Sequence, residues 1–275
     1  MRRRLLLTAA AVAVAPSAIA GFPAQCSAQV PPMAGGYKDV IAIPVTDPDV
    51  KTIAGALFKP EGAGPFPAII YMNGCGALDY PPDRATQQKV IEHSLPKGFA
   101  TLIVDPFSAR GETKGICDKV NQNTFSGYGA RGAADIWAAF KLLCGRSDID
   151  AKRIFVEGYD YGAFSALFAT ASPAVAAREA KPAGVIAYYP YCGFTVYPVP
   201  TFIFIGDKDG VVPPELCKAQ SGKTNVEVVV YPGATHGFAA PGMNDVFGGV
   251  ALRYDETAAK DAQARADAFI AAHMK

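Results

Sequence analysis

Residues 153–164, Arg153-Ile154-Phe155-Val156-Glu157-Gly158-Tyr159-Asp160-Tyr161-Gly162-Ala163-Phe164, read as a strand, a sharp turn and a helix of small and apolar residues. Gly158 and Gly162 let strand and helix approach closely around a strained turn. Such a turn projects its central side chain above a sheet, as a nucleophile requires. The plainer reading is an ordinary strand-to-helix turn with Asp160 near a helix start, where the dipole welcomes a carboxylate. Two later segments weigh against it. The run Gly206-Asp207-Lys208-Asp209-Gly210-Val211-Val212-Pro213 puts carboxylates on the loop after one apolar strand, and Pro232-Gly233-Ala234-Thr235-His236-Gly237-Phe238 puts a histidine on the loop after the next. Nucleophile, acid and base in that chain order make a catalytic triad of Asp160, either Asp207 or Asp209, and His236. His93 and His273 fall in helical patterns and read as surface residues. Ser165 lies inside the helix after the turn, and Ser108 and Ser126 lie on loops, so none replaces Asp160 at its tip.

Further upstream, Met72-Asn73-Gly74-Cys75-Gly76-Ala77 is a glycine-rich loop following an apolar strand. Backbone N–H groups at Cys75 and Tyr161 are placed to hold a developing oxyanion. The spacing is not G-x-G-x-x-G and the strand is third, not first, which argues against a dinucleotide loop. A carboxylate nucleophile suits attack on a saturated carbon, because attack on an ester carbonyl would give a high-energy mixed anhydride.

These residues need a scaffold that gathers loops. Short apolar or alternating runs occur at 38–45, 52–58, 66–72, 99–104, 152–157, 184–189, 201–206 and 226–231, and helical patterns at about 83–95, 127–144, 162–171, 213–221 and 254–273. A hairpin followed by alternating strands and helices predicts the α/β class, with a mostly parallel eight-stranded sheet covered on both faces. Active residues then lie at the carboxyl ends of the strands.

The chain of 275 residues is 50% hydrophobic, enough for one sizeable domain, predicted over 38–275. Its 26 Lys and Arg nearly balance 25 Asp and Glu, so no basic field holds nucleic acid and a small-molecule substrate is the expected partner. Residues 1–20 have the basic start, apolar run and small residues of an export signal, with cleavage after Ala20 or as late as Ala28. Arg2, Arg3 and Arg4 before Leu5 and Leu6 leave twin-arginine export open. Residues 21–37 read as a linker, and no later stretch is long and apolar enough for a membrane helix. A periplasmic or secreted location makes disulfides plausible among the six cysteines. Cys192 with Cys217 is the first expected pair, both near the carboxyl ends of adjacent strands; Cys75 with Cys117 is the second, leaving Cys144 free. The cysteines and histidines show no metal-ligand spacing, and oligomeric state is not legible.

Over roughly residues 50–273 the chain resembles the dienelactone hydrolase family of α/β-hydrolases, through NGCGAL, GFATLIVDPFSARG, RIFVEGYDYGAFSAL, FIFIGDKDGVVPPELC and VVVYPGATHGF. The resemblance implies a Ser or Cys nucleophile in the turn and cofactor-free hydrolysis of esters or lactones. Its G-x-x-D-x-x-V-P pattern selects Asp209 as the acid. Two positions depart: Asn73 stands where many relatives have histidine, and Asp160 where they have the nucleophile. Haloalkane dehalogenases, fluoroacetate dehalogenases and epoxide hydrolases share the fold and use such an aspartate, but carry a helical cap after the sixth strand. Here only residues 190–200 separate strands six and seven. Three readings stand: a hydrolase of small esters, lactones or alkyl electrophiles through Asp160, Asp209 and His236; a dehalogenase or epoxide hydrolase; and a non-catalytic binding protein on the same scaffold. The expected pocket is small and aromatic, lined by Tyr161 and by Tyr189 or Tyr191, with Arg110 available to an anionic group.

Overall fold

Apolar strands without alternation must be buried on both faces, and in β4 (Ala100–Asp105) and β7 (Thr201–Gly206) every residue is buried. The computed structural model describes residues 29–274. Its main sheet also contains β1 (Val40–Pro44), β2 (Thr52–Phe58), β3 (Phe66–Met72), β5 (Ile149–Tyr159), β6 (Gly184–Tyr188) and β8 (Val226–Tyr231). Their spatial order is β1-β2-β4-β3-β5-β6-β7-β8. β1 and β2 pair antiparallel, β2 runs antiparallel to β4, and all other neighbours are parallel. This is the α/β-hydrolase arrangement. The connecting helices are α1 (Pro81–Ser94), α2 (Phe125–Cys144), α3 (Tyr161–Thr170), the short α4 (Pro173–Ala176) and α5 (Pro214–Lys218), and the closing α6 (Glu256–Ala272).

Close approach at the centre rests on missing side chains. A Cβ on Gly162 would collide with the Met72 carbonyl oxygen, and one on Gly158 would meet Gly162 at 2.5 Å, so β3, β5 and α3 pack backbone to backbone. Gly129 and Gly132 of α2 leave room for Phe164 and Ser165 of α3.

One feature departs from the sequence reading. A hairpin, β9 (Asn244–Phe247) and β10 (Val250–Arg253), turns through Gly248 and Gly249, both at positive φ, and was not among the expected strands. The segment read as a linker is docked on the fold where it is described. Ala34 N–H donates to Asp105 at 3.0 Å, Arg84 donates to the Gly35 carbonyl, and Tyr37 hydroxyl pairs with Gln87. The export signal lies outside the described residues, among which no helix is long and apolar enough to cross a membrane.

Two disulfides staple the loops at the carboxyl ends of the strands: Cys75–Cys117 and Cys192–Cys217. Each closes a loop long enough to stabilise the fold by roughly 3 to 4 kcal/mol. Among the described residues Cys144 is the free thiol.

Replacing Gly162 with alanine is expected to destabilise the fold by about 3 kcal/mol, because the collision is with backbone that cannot move aside. Urea denaturation of Gly162→Ala should show an earlier midpoint than that of wild type; equal midpoints would contradict the packing account.

Candidate active site

The turn between β5 and α3 places Asp160 at φ 50° and ψ −114°, a conformation that L residues rarely adopt and that costs about 1–3 kcal/mol. Its backbone is held from both sides. Asp160 N–H donates to the Tyr188 carbonyl at 3.0 Å, and Phe164 N–H donates to the Asp160 carbonyl at 2.9 Å, starting the helix.

The two carboxylate oxygens of Asp160 have separate partners. Oδ1 lies 3.2 Å from His236 Nε2, and Oδ2 accepts the Cys75 N–H at 2.8 Å. His236 Nδ1 is 2.8 Å from Oδ2 of Asp209, whose other oxygen accepts the N–H groups of Val211 and Val212 at 2.9 Å each. Asp160, His236 and Asp209 are therefore in one continuous line. Gly206 makes this meeting possible, since a Cβ there would strike the Ala234 carbonyl and push the loops after β7 and β8 apart. Asp207 instead accepts the Gly233 N–H at 2.7 Å, a turn contact outside the line.

Charge follows geometry. Burial works to lower the pKa of His236, but hydrogen bonds and charge from Asp160 and Asp209 outweigh it and raise the value to about 9. Burial works to raise the pKa of Asp160. The hydrogen bond and charge of His236, with the Cys75 and Tyr161 N–H groups, win and hold the carboxyl below its ordinary value. At neutral pH the site is an imidazolium between two carboxylates.

Asp160 stands where two cavity lobes meet. One, of about 600 Å³, is lined by Gly74, Asp83, Tyr189 and His236 and roofed by Met243 and Val246 at the β9–β10 hairpin. The other, of about 530 Å³, is bordered by Tyr161, Tyr191, Phe125 and Phe164. The cleft is thus wider than the small aromatic pocket expected, because the unforeseen hairpin extends its wall. Tyr189, at φ 44°, sets its ring 4.8 Å from that of His236, while Tyr161 hydroxyl donates to the Tyr128 carbonyl at 3.1 Å. Arg110 is corrected from a substrate contact to a loop anchor. Its guanidinium bonds Asp47 and Asp135 at 2.8–2.9 Å, its side chain is 5% exposed, and it borders neither lobe. Asn73 donates to the carbonyls of Gly74 and Gly76, shaping the loop that presents Cys75. His93 pairs with Asp267 and His273 with the Phe269 carbonyl, both outside the cleft.

Asp83, a buried carboxyl in the first turn of α1, belongs to the cleft and was missed. An acidic residue behind Pro81 and Pro82 reads as an ordinary helix start, and burial by the fold of the loop after β3 leaves no signal in the helix itself. Among the described residues no cluster of three or more His, Cys, Asp or Glu could hold a metal.

The sequence profile of the dienelactone hydrolase family matches residues 53–274. The chain belongs to the dienelactone hydrolase family. No curated protein matches it. Among solved structures, a dienelactone hydrolase-like promiscuous phosphotriesterase from metagenomic libraries superposes with a TM-score of 0.65 at 17% identity, covering 86% of this chain and 98% of that one. A thermophilic esterase from Thermogutta terrifontis gives 0.58 at 21% identity, covering 88% and 94%. At these identities the likeness is one of fold. Membership makes this chain a hydrolase of the dienelactone hydrolase family whose turn carries aspartate.

The folded pKa of His236 lies above its unfolded value of 6.5, so the stability it contributes is full below about pH 6.5 and is lost as pH rises through about 9. Asp160→Asn removes one of two anionic partners, and the raised pKa should fall. NMR titration of the imidazole should report the lower pKa in the variant, and urea midpoints should fall less between pH 6.5 and 9 than in wild type; an unmoved imidazole pKa would refute the pairing.

Proposed function

We propose that the protein hydrolyses small alkyl electrophiles by covalent catalysis on Asp160, with His236 as base and Asp209 orienting it. The observation that carries this reading is the division of the Asp160 carboxylate, with Oδ2 on the Cys75 N–H and Oδ1 beside His236. An acyl-transfer enzyme keeps its oxyanion donors free for the substrate carbonyl; here Asp160 occupies one of them itself. That arrangement favours attack at saturated carbon over the ester and lactone chemistry of the family.

In the first step Oδ1 attacks the carbon, the leaving group departs with its electron pair, and an alkyl ester of Asp160 forms. Esterification cancels one negative charge beside the imidazole, so its pKa falls and it can release its proton. His236 then takes a proton from water, whose oxygen adds to the Asp160 carbonyl carbon. The negative charge appears on Oδ2, which already faces the Cys75 N–H. Collapse expels the product alkoxide, which takes the proton from His236. The leader-like residues 1–20 and two disulfides support an exported enzyme.

Screening small epoxides, alkyl halides, lactones and esters identifies a substrate. Single turnover in oxygen-18 water should then label the Asp160 side chain, His236→Gln should accumulate an Asp160 ester visible by mass spectrometry, and Asp160→Asn should lose at least about a thousandfold in turnover. Label passing directly into product, with no ester, would reject covalent catalysis.

A further inference from the structure

The two glycines of the Gly74-Cys75-Gly76 loop are each spaced against carboxyl groups. The point that a Cβ on Gly74 would occupy lies 3.2 Å from Asp160 Oδ2 and 3.5 Å from Asp83 Oδ1. A Cβ on Gly76 would press on Asp83 Oδ2 at 2.5 Å. Asp83 and Asp160 therefore flank one methyl-sized space at the floor of the larger lobe, although they come from different elements. Two like charges so placed in a cleft cannot both persist cheaply. Asp160 has an imidazolium and N–H donors to hold its charge; Asp83 has none of these. Burial, and then the charge of Asp160, push the Asp83 pKa up to about 8, and among the described residues no cation or hydrogen-bond donor opposes them. The other titratable groups facing it are the phenols of Tyr71 on β3, Tyr80 before α1 and Tyr189 after β6, each with its own pKa raised. Asp79, Lys114 and Asp245 line the same lobe, and His236 lies beyond Asp160.

We propose that Asp83 is the general acid of this site, donating its proton to an oxygen leaving group, and that the substrate class is accordingly an epoxide or comparable strained cyclic ether. This rests on the reading of Asp160 as nucleophile. The argument is chemical: halide departs as a stable anion, whereas an alkoxide is a poor leaving group from saturated carbon and departs faster when protonated, so a carboxylic acid kept neutral beside the nucleophile serves an oxygen. His236 touches Oδ1, the attacking atom, and a displacement requires the leaving atom on the opposite side of carbon. Asp83 lines the same lobe, across the Gly74 space from Asp160 Oδ2. As Oδ1 forms its bond to carbon, the carbon–oxygen bond breaks and the Asp83 proton passes to that oxygen, leaving Asp83 as carboxylate and a hydroxyalkyl ester on Asp160. After hydrolysis of the ester, Asp160 emerges as a carboxylic acid. Its proton passes to Asp83, the weaker acid, His236 recovers from solvent the proton it released before deprotonating water, and the resting state returns with epoxide and water converted to diol.

The test reads the first step alone, in the His236→Gln background, with 1,2-epoxyhexane and 1-bromohexane as matched probes and Asp160 ester formation followed by mass spectrometry. Asp83→Asn keeps the shape and removes the proton. It should slow alkylation by the epoxide at least about a hundredfold more than alkylation by the bromide. The epoxide rate should also fall with rising pH as Asp83 ionises, and this limb should vanish in Asp83→Asn. Equal effects of Asp83→Asn on both probes, a pH limb that survives the substitution, or ester formation from the bromide alone would overturn the role of Asp83 and leave Asp160 as nucleophile. Absence of an Asp160 ester from either probe would overturn both.

Discussion

A carboxylate at the tip of a buried, strained turn is an expensive object, costing several kcal/mol unless charge and hydrogen bonds compensate it. The whole carboxyl end of the sheet is arranged around that compensation. His236 supplies the cation, Asp209 holds the imidazole, and two N–H groups anchor the Asp209 carboxylate in turn. Each contact demands a close approach of loops, and glycines supply it: Gly206 brings the loops after β7 and β8 together, and Gly158 with Gly162 seats the turn against β3.

The same constraint explains the loop after β3. Cys75 gives its N–H to Asp160, its carbonyl accepts the Ile116 N–H at 2.8 Å, and its side chain is bonded to Cys117. One residue thus ties the turn carboxylate to the segment following β4 by three different bonds. A donor fixed on both sides does not reorganise when charge grows on Oδ2, which is what makes an electrostatic contact useful during a reaction.

Much of this was legible in the chain because its signals are local. Each of the eight main strands is a continuous apolar or alternating run, and the Gly-x-Asp-x-Gly turn, the Asp209 loop and His236 each follow such a run directly. What escaped depends on distance. Asp83 looks like any acidic residue in a first helical turn, and only the folding of Gly74 and Gly76 against it, seven to nine residues back in the chain, removes it from water. Arg110 was available to a ligand until Asp47 and Asp135, from opposite directions in sequence, closed on its guanidinium. The hairpin at 244–253 did leave a mark, Gly248-Gly249 between short alternating segments, but its strands are largely exposed and lack the apolar runs that marked the others.

The position of Asp160 also changes what the protein would look like to a chemist surveying hydrolases. Reagents designed to tag members of this fold carry an electrophilic phosphorus and rely on a hydroxyl at the turn and an empty cradle beside it. Here the tip of the turn carries a carboxylate and no hydroxyl, and the cradle already holds an oxygen of the protein's own. A tag that needs a hydroxyl at the tip and an empty cradle beside it finds neither at this turn.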